Sequence, residues 1–303
     1  MSHNLISKKL INGFNQNNCF IINLDHFIKT KKLPIKHDIF SINISNNSFL
    51  INILDNVTIE KPIYLINDLI LHDNLTIIIN SGQNNQFTLI DHKNNQNTTT
   101  NFICENNTIV DYYLIQNMDN SKLQVQQNSN SLLNAKLLAN HASNNKLQLE
   151  INLLEPNAKT ELNILQNTKQ NCCNIIDLFI NHLTTNSSSC TIARATALDQ
   201  SSIELNGKII VHKSATKTQA DLQSKNLILS KQGSITSCPE LLINNNDVVC
   251  THGASIGNLD PSALFYMQTR GIGLQDATQM LLEAFLQPII QKIKYQQIID
   301  YLI

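Results

Sequence analysis

From about residue 40, and for nearly two hundred residues, the chain repeats one texture. A short run of β-branched or leucine residues is followed by a polar cluster rich in Asn, Ser and Asp. Such runs fall at 49–54, 63–66, 75–79, 87–90, 108–115, 122–125, 146–151, 160–165, 175–180, 189–193, 202–205 and 209–211. Several alternate strictly: Leu147, Leu149 and Ile151 face one way, Lys146, Gln148 and Glu150 the other, and Leu123/Val125 and Leu162/Ile164 repeat the pattern. A period of two places one side chain in a core and the next in solvent. Strands of this length, spaced by roughly ten residues with no helix between them, predict an all-β core.

The scarcity of glycine narrows the architecture. A meander or sandwich of a dozen strands needs many turns at positive φ, and the chain has 8 Gly. Within the strand-rich region the one Asn-Gly pair, Asn206-Gly207, is the only strong hairpin signal. A parallel β-helix needs fewer tight hairpins, and Asn can replace Gly in part and ladder from rung to rung. The chain holds 44 Asn. Asn, Ile and Lys share A/T-rich codons, so any single Asn reads as coding drift on a solvated surface. No strict short repeat is visible, which makes the expected solenoid irregular. A solenoid has open ends, and unpaired strand edges there must be capped or paired with another protein.

Charge excludes one class of partner. With 22 basic and 23 acidic residues there is no global positive field, so a generic nucleic-acid binder is not expected. No uninterrupted apolar stretch is long enough for a membrane helix; the best, 63–79, is broken by Asn67, Asp68, His72, Asp73 and Asn74. The first fourteen residues lack a signal-peptide core, and seven irregularly spaced Cys do not form a disulfide framework. A reducing cytoplasm is the expected location. Residues 1–40 form a short N-terminal segment, with a strand expected over 18–23 and a basic loop over 29–36 around Pro34. Residues 41–258 make the β core.

The texture changes again in residues 259–303, which read as helical. Asp260 caps a helix with Pro261 at its first position, and Arg270-Gly271 ends it. A second helix carries Ala277, Met280, Leu281, Ala284 and Phe285 as one stripe, broken or kinked at Pro288. The plain expectation is that these helices pack on the end of the solenoid. The sharper one is that one face binds a partner.

A family resemblance rests on an ordered set of elements. Asp247-Val248-Val249-Cys250-Thr251-His252-Gly253-Ala254-Ser255 resembles the D-x-x-C-[ST]-H-G-A-[ST] stretch of the SufB/SufD iron–sulfur cluster assembly scaffold family. Leu259-Asp260, Leu264-Phe265-Tyr266, Arg270-Gly271-Ile272 and the 277–285 helix follow in the family's order. Upstream, 225–230 and Pro239-Glu240-Leu241 resemble two further elements. The likeness is dense over about 205–287. Gly253, where SufB-type chains carry Glu, places it with the D-type branch, SufD. So does Ser224, which aligns with a cluster-related Cys of SufB.

The resemblance implies a right-handed parallel β-helix with a helical C-terminal region and a shortened N-terminal region. It implies a non-catalytic scaffold that pairs with a SufB-like paralogue through the β-helix end and with the SufC ATPase through its helices. Leu264, Phe265, Arg270, Leu281 and Phe285 would meet SufC. Without SufB, an exposed strand edge makes a homodimer the alternative assembly.

Cys250 and His252, two apart in a strand, share one face and are competent ligands for iron or an iron–sulfur unit. A cluster needs about four ligands, so any metal on His252 would be shared with the partner subunit. No stable cofactor is expected on the isolated chain, only a cluster passing through the complex. The ordinary alternatives are a buried apolar Cys250 and a hydrogen-bonded structural His252. Cys172-Cys173 would point to opposite faces and not chelate jointly. No phosphate-binding loop, G-x-S-x-G or H-E-x-x-H sequence is present. Two other readings compete: a SufB-type scaffold, disfavoured by Gly253 and Ser224, and a solenoid enzyme acting on polysaccharide. The second should show clustered charges and sugar-stacking aromatics, yet the chain has no Trp.

Overall fold

The computed structural model describes Phe14 and residues 18–24, 35–45, 48–67, 75–93, 97–116, 120–141 and 144–302. Among these residues nineteen strands form two sheets. In chain order they are β1 Phe20–Asn23, β2 Ile35–Lys36, β3 Phe40–Ser45, β4 Ser48–Ile53, β5 Ile63–Asn67, β6 Leu75–Asn80, β7 Gln86–Lys93, β8 Thr98–Cys104, β9 Ile109–Gln116 and β10 Ser121–Gln127. Then follow β11 Leu132–His141, β12 Asn145–Leu153, β13 Lys159–Thr168, β14 Cys173–His182, β15 Ser188–Ala197, β16 Ser202–Val211, β17 Thr218–Ile228, β18 Ser234–Ile243 and β19 Val248–Gly257. From β5 onward odd strands stack parallel in one sheet and even strands in the other. This is a parallel β-solenoid, as the patterning predicts. From β7 to β17 its rungs lengthen: the register advances 23 residues from Gln86 to Ile109 and 31 from Ser188 to Gln219. The exception is the start of the even sheet, where β2, β3 and β4 run antiparallel.

Asparagine answers the shortage of glycine. Asn56, Asn84, Asn107, Asn130, Asn157 and Asn186 occupy the same corner of successive rungs, each at φ between +54° and +64°. Their amides form one continuous ladder. Asn84 Nδ2 donates to Asn56 Oδ1 at 2.8 Å, Asn107 to Asn84 at 2.9 Å, Asn130 to Asn107 at 3.1 Å and Asn157 to Asn130 at 2.9 Å, and Asn186 donates to Asn157. Asn tolerates the left-handed region better than other side-chain-bearing residues, and its amide both donates and accepts along the stack. The drift reading fails for these six. Asn130→Ala should cost about 2 kcal/mol, from left-handed strain plus two lost ladder bonds. Asn130→Gly removes the bonds but not the conformational freedom, so urea melts should place it between wild type and alanine; equal losses would remove the strain component.

Asn206-Gly207 is no turn but the middle of β16, which runs unbroken from Ser202 to Val211. Gly207 shares a lumen column with Leu178 and Pro239. A Cβ there would lie 2.7 Å from Leu222 Cδ1, so the missing side chain admits Leu222 across the lumen. Helices α1 (Pro261–Thr269), α2 (Leu274–Ile290) and α3 (Gln296–Leu302) do not cap the solenoid's end. The second half of α2 and all of α3 return along the outer face of the odd sheet. Leu286, Ile289, Ile290, Ile293, Ile298 and Leu302 bury there against Tyr64, Ile90, Tyr113, Leu138 and Leu165. Tyr64, Ile90 and Tyr113 stack in one outer column and Ile115, Leu138 and Leu165 in the next, so this strip is the part of the face a helix can dry. Asp111 ties the return down, accepting from Lys136 Nζ at 3.2 Å and from Lys294 Nζ. Burial raises its pKa, but the two lysines outweigh that and hold the carboxyl below its ordinary value. α2 continues two residues past Pro288, while Asp260 and Gly271 (φ +86°) cap α1 as expected.

The lumen is apolar with polar islands. Lys93 and Asp91 lie 3.7 Å apart and almost fully buried, with Tyr112 OH donating to Asp91 at 2.7 Å. Farther along, His182 is fully buried between Ser187 Oγ and Ser189 Oγ, each 2.8 Å from a ring nitrogen. The strand expected over 18–23 forms at β1; the basic loop expected over 29–36 falls mostly outside the described residues.

Candidate functional site

The last rung is where the solenoid is open. β18 pairs only with β16 and β19 only with β17 among the described residues, leaving two ten-residue edges free. Burial fades toward this end. β17 alternates buried and half-exposed residues, whereas most of β19 is exposed. Large apolar side chains stand in solvent here: Leu242, Ile243, Val249 and Ile256. The other end of the even sheet is closed off by the two-residue antiparallel β2.

Register fixes which side chains face the lumen. Cys250 aligns with Ala220, His252 with Leu222 and Ala254 with Ser224. Ala220 and Leu222 belong to the lumen core, so Cys250 and His252 project into its mouth. They share one face, as their spacing predicts, but in different settings. Cys250 is half-buried against the core. Burial pushes its thiol pKa up, only partly offset by a backbone hydrogen bond at Ala220. The isolated chain therefore presents a protonated thiol. His252 is exposed. Among the described residues no three His, Cys, Asp or Glu side chains converge to hold a metal ion. Whatever binds here must bring further ligands.

One rung below, hydroxyls bridge the two sheets. Ser237 Oγ donates to Ser224 Oγ at 2.9 Å, and Asn226 Nδ2 donates to Ser224 Oγ at 3.0 Å and to the Ser255 carbonyl at 3.1 Å. Ser224 is sealed within this network. On the outer face of β19, a Cβ at Gly253 would lie 2.7 Å from Gln223 Oε1. Glycine there leaves Gln223 free to donate to Asp221 at 2.8 Å. Cys172 and Cys173 are half-buried and removed from this end.

The helices supply a second exposed surface. α1 buries none of its residues, and Phe265 is 68% exposed. Tyr266, Leu274 and Met280 are also exposed, and Arg270 lies 5.3 Å from the Tyr266 ring. Of the residues expected to meet a partner, Phe265 and Arg270 are exposed, whereas Leu264 and Leu281 are half-buried. Phe285 turns inward, packing on the second core with its ring 5.6 Å from the Arg194 guanidinium. Tyr266 and Leu274 were missed as surface residues. Neither lies on the apolar stripe that drew attention to this region.

A family model described as SUF system FeS cluster assembly, SufBD core domain, matches residues 67–285. The iron-sulfur cluster assembly protein SufD of Escherichia coli is 35% identical over 96 residues, 32% of this chain and 23% of that protein. SufD of Bacillus subtilis is 34% identical over 95 residues, 31% of this chain and 22% of that protein. SufB of Bacillus subtilis is 21% identical over 119 residues, 39% and 26% respectively. The matched stretch thus spans about a quarter of each relative's length or less.

Proposed function

Since the chain belongs to the SufBD core family of the SUF iron–sulfur cluster assembly system, we propose that it is a D-type, non-catalytic scaffold subunit of that machinery. The observation that carries this reading is the uncapped last rung, with His252 exposed at the mouth of the lumen. A free ten-residue edge beside exposed apolar side chains is a surface that another strand can extend. A SufB-type paralogue supplies that strand, and a second copy of this chain does so when the paralogue is missing. Identity of 34% to SufD against 21% to SufB of one organism supports the D-type assignment. So do Gly253 and the sequestered Ser224 hydroxyl.

The iron–sulfur unit is cargo in this reading. His252 offers a ring nitrogen, and Cys250 offers a thiolate once an approaching cation displaces its proton. Two donors do not close a site, so the partner completes it. The exposed face around Phe265 receives the SufC ATPase, which supplies the ATP hydrolysis this chain has no loop to perform. No helix among the described residues is long and apolar enough to cross a membrane. The reducing cytoplasm is the compartment this reading calls for, since a thiol such as Cys250 stays free there.

Co-expression with SufB and SufC, followed by measurement of the complex mass, tests the assembly. A chain that stays monomeric and co-purifies with neither would defeat it. His252→Ala should leave the complex mass unchanged and lower cluster yield by about tenfold or more. An unchanged yield in an intact complex would remove His252 from the chemistry.

A further inference from the structure

The outer face of the odd sheet carries a column running Ile115, Leu138, Leu165, Arg194, Lys225 and Ser255. Its first three members are buried and apolar, as a face beneath helices requires. At β15 that pattern breaks. Arg194 is 9% exposed, although five N–H donors and a permanent charge disfavour burial without a partner. Among the described residues its one hydrogen bond runs from Nη1 to the Ala193 carbonyl at 2.9 Å. None of the ion pairs among the described residues includes it. Lys225, directly opposite on β17, is exposed and likewise outside every ion pair. Two cations facing each other across adjacent strands, one walled in, destabilise the free chain. Guanidinium does not shed its proton, and the Phe285 ring 5.6 Å away offsets the charge only in part, so an anion is what would complete its partners.

We propose that Arg194 is held for an acidic side chain of the ATPase partner that docks on α1 and α2. This rests on the docking reading above. Two observations favour a protein carboxylate over a small free anion. Phe285, which stacks over Arg194, belongs to the same helix as the exposed Leu274 and Met280, so the charge lies under the edge of the docking face. The guanidinium also keeps N–H donors beyond the one given to the Ala193 carbonyl, and a carboxylate is the group whose two oxygens can take them. A preorganised, largely desolvated Arg beside an aromatic ring is the kind of residue that dominates an interface.

The test uses the full chain and its SufC ATPase, with affinity measured against salt. Phe265→Ala tests the docking reading alone and should abolish binding. Arg194→Gln should weaken binding by about tenfold and flatten its salt dependence, with Arg194→Lys falling between. Loss with Phe265→Ala but wild-type binding by Arg194→Gln would overturn this inference and leave the docking reading standing. Wild-type binding by Phe265→Ala would overturn the docking reading itself. The free chain gives a second readout. A charge kept for a partner burdens the unbound fold, so Arg194→Met should unfold no earlier than wild type. If it melts several degrees earlier, Arg194 is a structural anchor for Phe285 and the inference falls. Sulfate binding by the free chain that disappears in Arg194→Gln would reassign the site to a small anion.

Discussion

Ile289→Ala is expected to lower the unfolding free energy by about 3 kcal/mol, the middle of the range for truncating a buried isoleucine. Ile289 is fully buried where α2 meets the odd sheet, between the solenoid and the residues that follow the helix. Strands on either side stay laddered, so the loss should concentrate in the helical return. Limited proteolysis should then cut residues 259–302 while the rungs resist. Phe265→Ala supplies the contrast. That side chain is largely in solvent, so its removal should move stability by no more than about 0.5 kcal/mol. The two substitutions separate the face that holds the helices down from the face proposed for a partner. Comparable losses from both would mean that the exposed side of α1 is covered in solution.

Acid should weaken the solenoid from inside its lumen. Desolvation pushes the buried His182 down to a pKa of about 4. The unfolded chain takes up the same proton near pH 6.5. Between these values the unfolded state binds more protons than the native one, so stability falls as pH falls. The contribution is complete above about pH 6.5. It should decline by about 2 kcal/mol at pH 5 and about 3 kcal/mol below pH 4. Urea midpoints at pH 7.5 and 5 measure it. His182→Gln, which cannot protonate, should show the shallower fall. Identical falls would place the acid sensitivity elsewhere, for instance at the Asp111 carboxyl, whose lysine bonds fail only at lower pH.

The solenoid was legible because burial on one side of each strand writes a period of two into sequence. Lys146 to Ile151 shows it plainly. Where the lumen turns polar the signal fades. Thr98 and Thr100 point inward on β8, and the run Thr98–Cys104 was not anticipated as a strand. Asn206-Gly207 misled for the opposite reason, since local turn chemistry was overridden by Leu222 claiming the space above Gly207. The asparagines could be suspected of laddering but not assigned. Rungs of unequal length give the corner no fixed period, and only register brings Asn130 beside Asn107. The placement of the helices could not be read either. An apolar stripe says that a helix covers something, not whether that is an end or a face. Cys250 and His252 were visible as a pair two apart, but not that burial would protonate one and leave the other in solvent. Arg194 gave no warning, standing alone in a run of small residues from Ala193 to Ala197.

The amide ladder has a direction. At every step the later residue donates and the earlier one accepts, from Asn84 onto Asn56 through to Asn186 onto Asn157. A ribosome delivers the earlier member first, so each completed coil offers a waiting carbonyl to the segment still emerging. Wrapping can then advance in the order of synthesis, each addition closing only a few tens of residues, and the open rung is the last coil laid down before the helices turn back along the sheet.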